Sequence, residues 1–271
     1  MLCDETKSEN KPFGNAYNNP ENNPYSNGRS HFFGRRKGKR ISDSREKLFD
    51  SLLPKLLITP PGDGQTIDLA DLYPFKAKEY RLEIGFGGGE HLAAQSLKNK
   101  DIGFIGAEVF VNGVASLVAH LAGAHDNSNM AEKGCLADNR VDNVRIFNDD
   151  VRLLFSALPQ GQMSAVYVLF PDPWPKKRHA YRRFIGPENI PHLARLLKEG
   201  GFLQVASDDM NYIRWSLEHL CKSPYFIWTA QKADDWRKPP ADWCQTRYEQ
   251  KAIAAGRKPV YLRFQRTDVA I

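Results

Sequence analysis

The chain has 271 residues, 41% of them hydrophobic and 11% aromatic, which supplies the core of one large domain, while its longest apolar runs fall far short of a membrane span. Four scattered cysteines (Cys3, Cys135, Cys221, Cys244) with no C-x-x-C pair argue against a disulfide framework or a structural zinc, and the start MLCDETKSENK carries no export signal, so a soluble, cytoplasmic protein is expected. The net charge of +6 favours a polyanionic partner such as a nucleic acid.

Residues 1–32 are rich in Asn, Ser, Pro and Gly and read as a disordered arm, with the folded domain expected over 33–271. The arm leads into RSHFFGRRKGKR (29–40), which holds six cations and no acid. A helix is predicted over 45–53, ending at Pro54, and a Pro/Gly-rich loop (59–64) follows. From residue 80 onward strands and helices alternate. Strand-like runs are RLEIGF (81–86), IGFIGAEV (102–109), NVRIFND (143–149), AVYVLF (165–170) and GFLQVAS (201–207). Helical periods lie between them: Phe110, Val114, Leu117, Val118 and Leu121; Val151, Leu154, Phe155 and Leu158; Met210, Ile213, Leu217 and Leu220. This alternation predicts βαβ crossovers and a mostly parallel sheet with helices on both faces. FIWTA (226–230) and VYLRFQR (260–266) complete seven strands, the last ones antiparallel, and the aperiodic stretch 123–140 reads as a surface insertion.

Ligands of open α/β sheets bind beyond the carboxyl ends of the strands, so the strand exits carry the chemistry. The first exit, LEIGFGGGEH (82–91), tests poorly as a dinucleotide fingerprint, because Glu90 stands where the third glycine belongs. Glu83, just before the Gly85–Gly87 turn, would repel a pyrophosphate and suits a cationic ligand; S-adenosylmethionine carries a sulfonium and an ammonium. Glu108 ends the second strand, spaced as an acid that holds ribose hydroxyls, and Asn148 with Asp149 end the third, suited to an adenine amine. Each acid alone could simply serve a helix N-terminus; three successive exits ending in acids favour the ligand reading. The fourth exit is FPDPWPKKRH (170–179). Pro171 and Pro173 restrict the backbone around Asp172, beside the expected methyl group, and Trp174 can stack on a flat substrate or cap the core. KKRHAYRR (176–183) adds five cations, which with the ring of Tyr181 lean toward nucleic acid. No histidine spacing suggests a metal site.

Together, LEIGFGGGEH, Glu108, FPDPWPKKRH, SDD (207–209) and TRYE (246–249) resemble the bacterial tRNA (guanine-N7-)-methyltransferases over roughly 33–266. The resemblance implies a class I methyltransferase fold with a Rossmann-like seven-stranded sheet, S-adenosyl-L-methionine as cofactor, and tRNA as substrate, methylated at N7 of guanine 46. It implies that Glu83, Glu108, Asp149 and Asp172 contact the cofactor, with Asp172 catalytic, and that Lys176, Asp208, Thr246, Arg247, Tyr248 and Glu249 contact the tRNA. Asp150 is an alternative to Asp149. Thr246-x-x-Glu249 also spells a helix capping box. Competing readings are an exocyclic-amine methyltransferase, suggested by Asp172-Pro173-Trp174, and a tRNA-binding protein with a decayed cofactor pocket.

Overall fold

The computed structural model describes residues 34–62, 64–123 and 142–271. The predicted arm and all but the first residue of the predicted insertion lie outside the described residues. Seven strands form one sheet: β1 (Glu79–Ile84), β2 (Ile102–Ala107), β3 (Val144–Phe147), β4 (Met163–Leu169), β5 (Leu197–Ser207), β6 (Phe226–Trp228) and β7 (Val260–Arg266). Their spatial order is β3-β2-β1-β4-β5-β7-β6, with the first five in chain order parallel and β7 antiparallel to both β5 and β6. The mostly parallel sheet is what the alternation implies, and the whole is the class I methyltransferase architecture that the resemblance implies.

β4 lies in the middle of the sheet and all seven of its residues are buried, which is why it reads as an unbroken apolar run. Side chains alternate between the two faces of the sheet, where, among the described residues, the buried apolar ones form three clusters. Leu82, Ile105, Val166, Leu203 and Phe264, joined by the strand registers, share one core with Leu193 of α4 (Ile190–Leu196) and Ile213 and Leu220 of α5 (Met210–Lys222). On the opposite face Phe104, Val144 and Ile146 meet α1 (Asp43–Leu56), α2 (Glu90–Lys98) and α3 (Val111–Leu121). α6 (Asp234–Arg237) and α7 (Arg247–Ala254) follow β6, and no helix among the described residues is long and apolar enough to cross a membrane.

Two helix predictions need correction. Pro54 does not end α1, which continues to Leu56 and closes with the Leu57 amide on the Leu53 carbonyl at 3.1 Å. Burial of Leu53 and Leu56 against the α3 face outweighs the lost backbone donor of the proline. Over 151–158 the chain forms a 3-10 turn (Val151–Leu153) and further turns, with amide bonds to the third residue back, such as Leu154 to Val151 at 2.8 Å. Val151, Leu154, Phe155 and Leu158 are all buried. Their spacing therefore recorded a buried face, which a tightened helix can present as well as an α-helix.

Pro54→Ala restores a helical amide opposite the Asp50 carbonyl and is expected to raise unfolding stability by about 1–2 kcal/mol; urea denaturation reads it, and a loss of stability would contradict the helical assignment past residue 54.

Candidate active site

The registers set the strand ends in one row. Ile84 pairs with Ala107 and with Val168, and Ala107 pairs with Phe147, so the residues that follow β1, β2, β3 and β4 emerge along one edge of the sheet. The chain runs outward through β2 and β3 on one side of β1 and through β4 and β5 on the other. The switch between these directions falls between β1 and β4, where an open α/β sheet leaves a crevice.

The turn after β1 forms the floor of that crevice. The Gly85 amide donates to Ala107 at 2.8 Å, and a side chain at Gly85 would meet no atom within 4 Å, so the space above it is open. Gly87 has φ +56°, and a Cβ there would come within 2.8 Å of the Tyr248 ring. Gly113 in α3 approaches from below, since a Cβ on it would lie 2.2 Å from the Gly87 carbonyl oxygen. Glu108 fastens this floor: its Oε2 accepts the Gly87 amide at 2.7 Å and its Oε1 accepts the Phe110 amide at 2.8 Å. Burial pushes its carboxyl above the ordinary range, against the pull of the amides of Phe110, Gly87 and Val109, and the charge of Asp172 adds to the upward push. The two carboxylates are therefore near enough for their charges to interact.

Glu83 is 2% exposed and lies on the α2 side of the sheet, with its Oε2 2.7 Å from His91 Nδ1. The His91 ring in turn packs on Tyr167 (4.9 Å between centroids) and Trp243 (5.1 Å). At the third exit Asn148 donates from Nδ2 to the Glu108 carbonyl at 2.8 Å. Asp149 is buried, and its Oδ1 accepts both Arg36 at 2.8 Å and the Asp150 amide at 2.7 Å. Asp150 instead caps the following 3-10 turn and pairs with Arg152 at 2.5 Å. Part of the first basic cluster therefore folds inward. Arg36 covers Asp149, its carbonyl accepts the Val111 amide at 2.9 Å, and Lys39 and Gly38 bond the Asn112 side chain.

The fourth exit holds the only two non-glycine residues with positive φ among those described, Phe170 (+50°) and Trp174 (+43°), one on each side of the Pro171-Asp172-Pro173 segment. Each precedes a proline, and such backbone costs on the order of 1–3 kcal/mol per residue unless its surroundings impose it. Asp172 is exposed and forms no ion pair among the described residues. Lys176 is exposed beside it. Trp174 has the Arg182 guanidinium 5.0 Å from its ring centre and His179 against it edge-on at 5.9 Å.

Across the crevice, Asp208 pairs with Arg257 at 2.5 Å, and Asp209 caps α5 through the amides of Asn211 and Tyr212. Thr246 caps α7 by accepting the Glu249 amide at 3.2 Å. Only half of the expected capping box forms. The buried Glu249 carboxylate turns away from the cap to accept Trp243 Nε1 at 2.7 Å and the Tyr261 hydroxyl, so hydrogen-bonding in the core outcompetes the return bond to Thr246. Arg247 Nε reaches Glu90 Oε1 at 3.6 Å, which ties the start of α7 to the start of α2. Tyr248 is 46% exposed, with Arg247 and Lys251 near its ring.

The structure thus groups Gly85, Gly87, Glu108, Asn148, Asp149 and Asp172 along one edge with Tyr248 above the glycine turn, whereas Glu83 and Glu249 sit deeper, joined through His91 and Trp243. His91, Trp243 and Arg36 were not singled out from sequence. A histidine eight residues after Glu83 in LEIGFGGGEH was the one available signal; the partners of Trp243 and Arg36 lie too far along the chain to be read.

A family model described as "Putative methyltransferase" matches residues 77–262. The chain is 48% identical over 239 residues to a tRNA (guanine-N(7)-)-methyltransferase of Rhodospirillum rubrum, covering 88% of each chain. It is 47% identical to the protein of that name from Paramagnetospirillum magneticum, covering 88% of this chain and 93% of the other, and 45% identical to that of Azorhizobium caulinodans, covering 87% and 94%.

Because the Gly87 carbonyl lies in the path of any Cβ at residue 113, Gly113→Ala is expected to shift the glycine turn and break the 2.7 Å bond to Glu108. Amide hydrogen exchange over 85–90 should rise about tenfold or more, as expected for an opened local hydrogen bond; unchanged protection would show that the turn tolerates the methyl.

Proposed function

The chain belongs to the tRNA (guanine-N(7)-)-methyltransferase family, and on that premise we propose that it methylates N7 of guanine 46 in the variable loop of tRNA with S-adenosyl-L-methionine as donor, acting in the cytoplasm where tRNA is found. The observation that carries this reading is the exposed Asp172 carboxylate, held between two prolines at the switch point of the sheet, on the same sheet edge as Glu108, Asn148 and Asp149 and the open hollow above Gly85.

The hollow suits an onium nucleoside better than a phosphate. Its rim is anionic, the space over Gly85 is open, and Glu108 is preset by two backbone amides with lone pairs left for ribose hydroxyls. Both contacts of Asp149 go to Oδ1, so Oδ2 is the atom assigned to the adenine amine, with Asn148 beside it. Glu83, Gly85 and Gly87 complete the set that would hold the donor, which supplies an electrophilic methyl when bound.

Guanine N7 already presents a lone pair on the edge it shares with O6, so no side chain must remove a proton before attack. What the protein must supply is orientation and a field for the positive charge that develops on the purine. Asp172 is assigned both tasks: its fixed carboxylate faces that charge and accepts from guanine N1 and N2, which an adenine cannot offer. Asp208 already shares its charge with Arg257 and is assigned to positioning the substrate. The base must leave its stack, and the exposed Tyr248 ring offers a replacement surface. Thr246, Glu249 and Arg247 set where that ring stands, and the exposed Lys176, Lys177 and Arg178 meet the phosphates.

Incubation with methyl-labelled S-adenosylmethionine and unmodified tRNA, followed by digestion, should place the label in 7-methylguanosine at position 46. Label on an exocyclic amine, or none at all, would refute the proposal. Asp172→Ala should lower turnover by about 10²- to 10³-fold, the usual cost of losing one preorganised electrostatic partner, with tRNA affinity nearly unchanged because phosphate contacts dominate it. Donor binding needs Glu108 ionised, and burial raises its carboxyl, so affinity should fall on acidification at a higher pH than the protonation of an ordinary glutamate would cause. Titration calorimetry between pH 7.5 and 5 reads this; a pH-independent affinity would remove Glu108 from the donor site.

A further inference from the structure

Of the five cations in KKRHAYRR, one does not behave as surface charge. Lys176, Lys177 and Arg178 are exposed, whereas Arg183 is only 9% exposed. Its guanidinium faces the turn that carries Asp172: Nε donates to the Pro173 carbonyl at 3.0 Å and an η nitrogen donates to the Trp174 carbonyl at 3.2 Å. The same group lies 5.1 Å from the centre of the Trp215 ring, and Trp215 is itself fixed by its Nε1 bond to the Ile185 carbonyl at 2.6 Å and by the His219 ring at 3.9 Å. No carboxylate among the described residues forms an ion pair with Arg183, so carbonyl dipoles and an indole face hold its charge.

The two bonds fall on consecutive carbonyls immediately after Asp172, and the second belongs to Trp174, one of the two non-glycine residues at positive φ. The other, Phe170, is held from the opposite side, where its amide extends the ladder to Ala206 at 2.7 Å. Between these anchors the only remaining freedom is that of the Pro171-Asp172-Pro173 backbone, which the proline rings already restrict. A planar fork with a flat face fits two neighbouring carbonyls and an indole at once, and a lysine ammonium does not.

We propose that Arg183 is a positioning residue for the methyl transfer, clamping the Pro173 and Trp174 carbonyls so that the Asp172 carboxylate stays where the purine charge develops, and that it does not bind tRNA phosphate. The proposal rests on the role assigned above to Asp172. Arg183→Ala should lower kcat about a hundredfold, the cost expected when a reacting group shifts by about 1 Å, with KM for tRNA within about threefold and the slope of log affinity against log salt unchanged, where loss of a phosphate contact would reduce that slope by about one. Added guanidinium ion at tens of millimolar should restore part of kcat. A kcat within threefold of the unsubstituted enzyme, or a reduced salt slope with kcat intact, overturns the proposal.

Arg183→Lys keeps the charge and is expected to remain defective; wild-type turnover from it also overturns the proposal, and so does global unfolding of both variants, which would make Arg183 simply structural. Hydrogen exchange over 170–176, expected to accelerate in the alanine variant, reads the clamp without turnover, and unchanged exchange counts against it. If the unsubstituted enzyme forms no 7-methylguanosine while exchange still accelerates, the assigned reaction fails and the clamp stands.

Discussion

Five parallel strands that stop level with one another are the constraint on which the site depends. A parallel pair hydrogen-bonds in a slanted, evenly spaced ladder, and once Ile84 is set opposite Ala107 and Val168, the next residue of each strand must emerge along the same edge. Gly85, Glu108, Asn148 and Phe170 are neighbours for that reason alone. The outward winding on either side of β1 and β4 leaves no crossover helix above their junction, and the hollow is the space that remains.

Filling such an edge with carboxylates has an electrostatic cost, and the structure offsets it differently at each position. Glu108 is paired with backbone amides, Asp149 with Arg36, Asp150 with Arg152 and Asp208 with Arg257. Asp172 is the exception, with no ion pair among the described residues. It stands exposed at the end of a buried strand on a turn whose flanking residues have left-handed backbone, so its position is maintained by the backbone instead of by a counter-ion. A carboxylate that is fixed and still unspent can respond to charge that appears only during the reaction.

A second set of contacts joins the two sides of the crevice. Glu83 meets His91, the His91 ring packs on Trp243, and Trp243 donates to Glu249 in the first turn of α7. Arg247 and Glu90 repeat the connection at the surface, and the Tyr248 ring closes against Gly87. The helix that carries Tyr248 is thereby referenced to the same glycine turn that forms the floor of the hollow. The glycine turn and the start of α7 are built from one set of fixed parts, and a shift in the turn is felt by the ring above it.

Much of this was legible in the chain itself. Unbroken apolar runs such as AVYVLF marked the central strands, acids at successive strand exits marked the edge of the sheet where the proposed site lies, and paired prolines around Asp172 marked a restricted turn, because each is a local consequence of burial, charge or backbone restriction. What failed locally failed for a physical reason: the spacing of Val151, Leu154, Phe155 and Leu158 reports which side is buried and is silent on whether the amides close α or 3-10 rings, and Pro54 continued a helix because distant packing of Leu56 outweighed its missing donor. The choice of partners belonged to the tertiary structure. That Glu249 bonds Trp243 and Tyr261 instead of its own cap, that Arg36 lies on Asp149, and that Arg183 turns inward while Lys176, Lys177 and Arg178 face solvent all depend on which side-chain and backbone atoms the fold brings within 3 Å or so of one another. Sequence specifies the hydrogen-bonding capacity of each residue; only the packed sheet decides which of the available donors and acceptors meet.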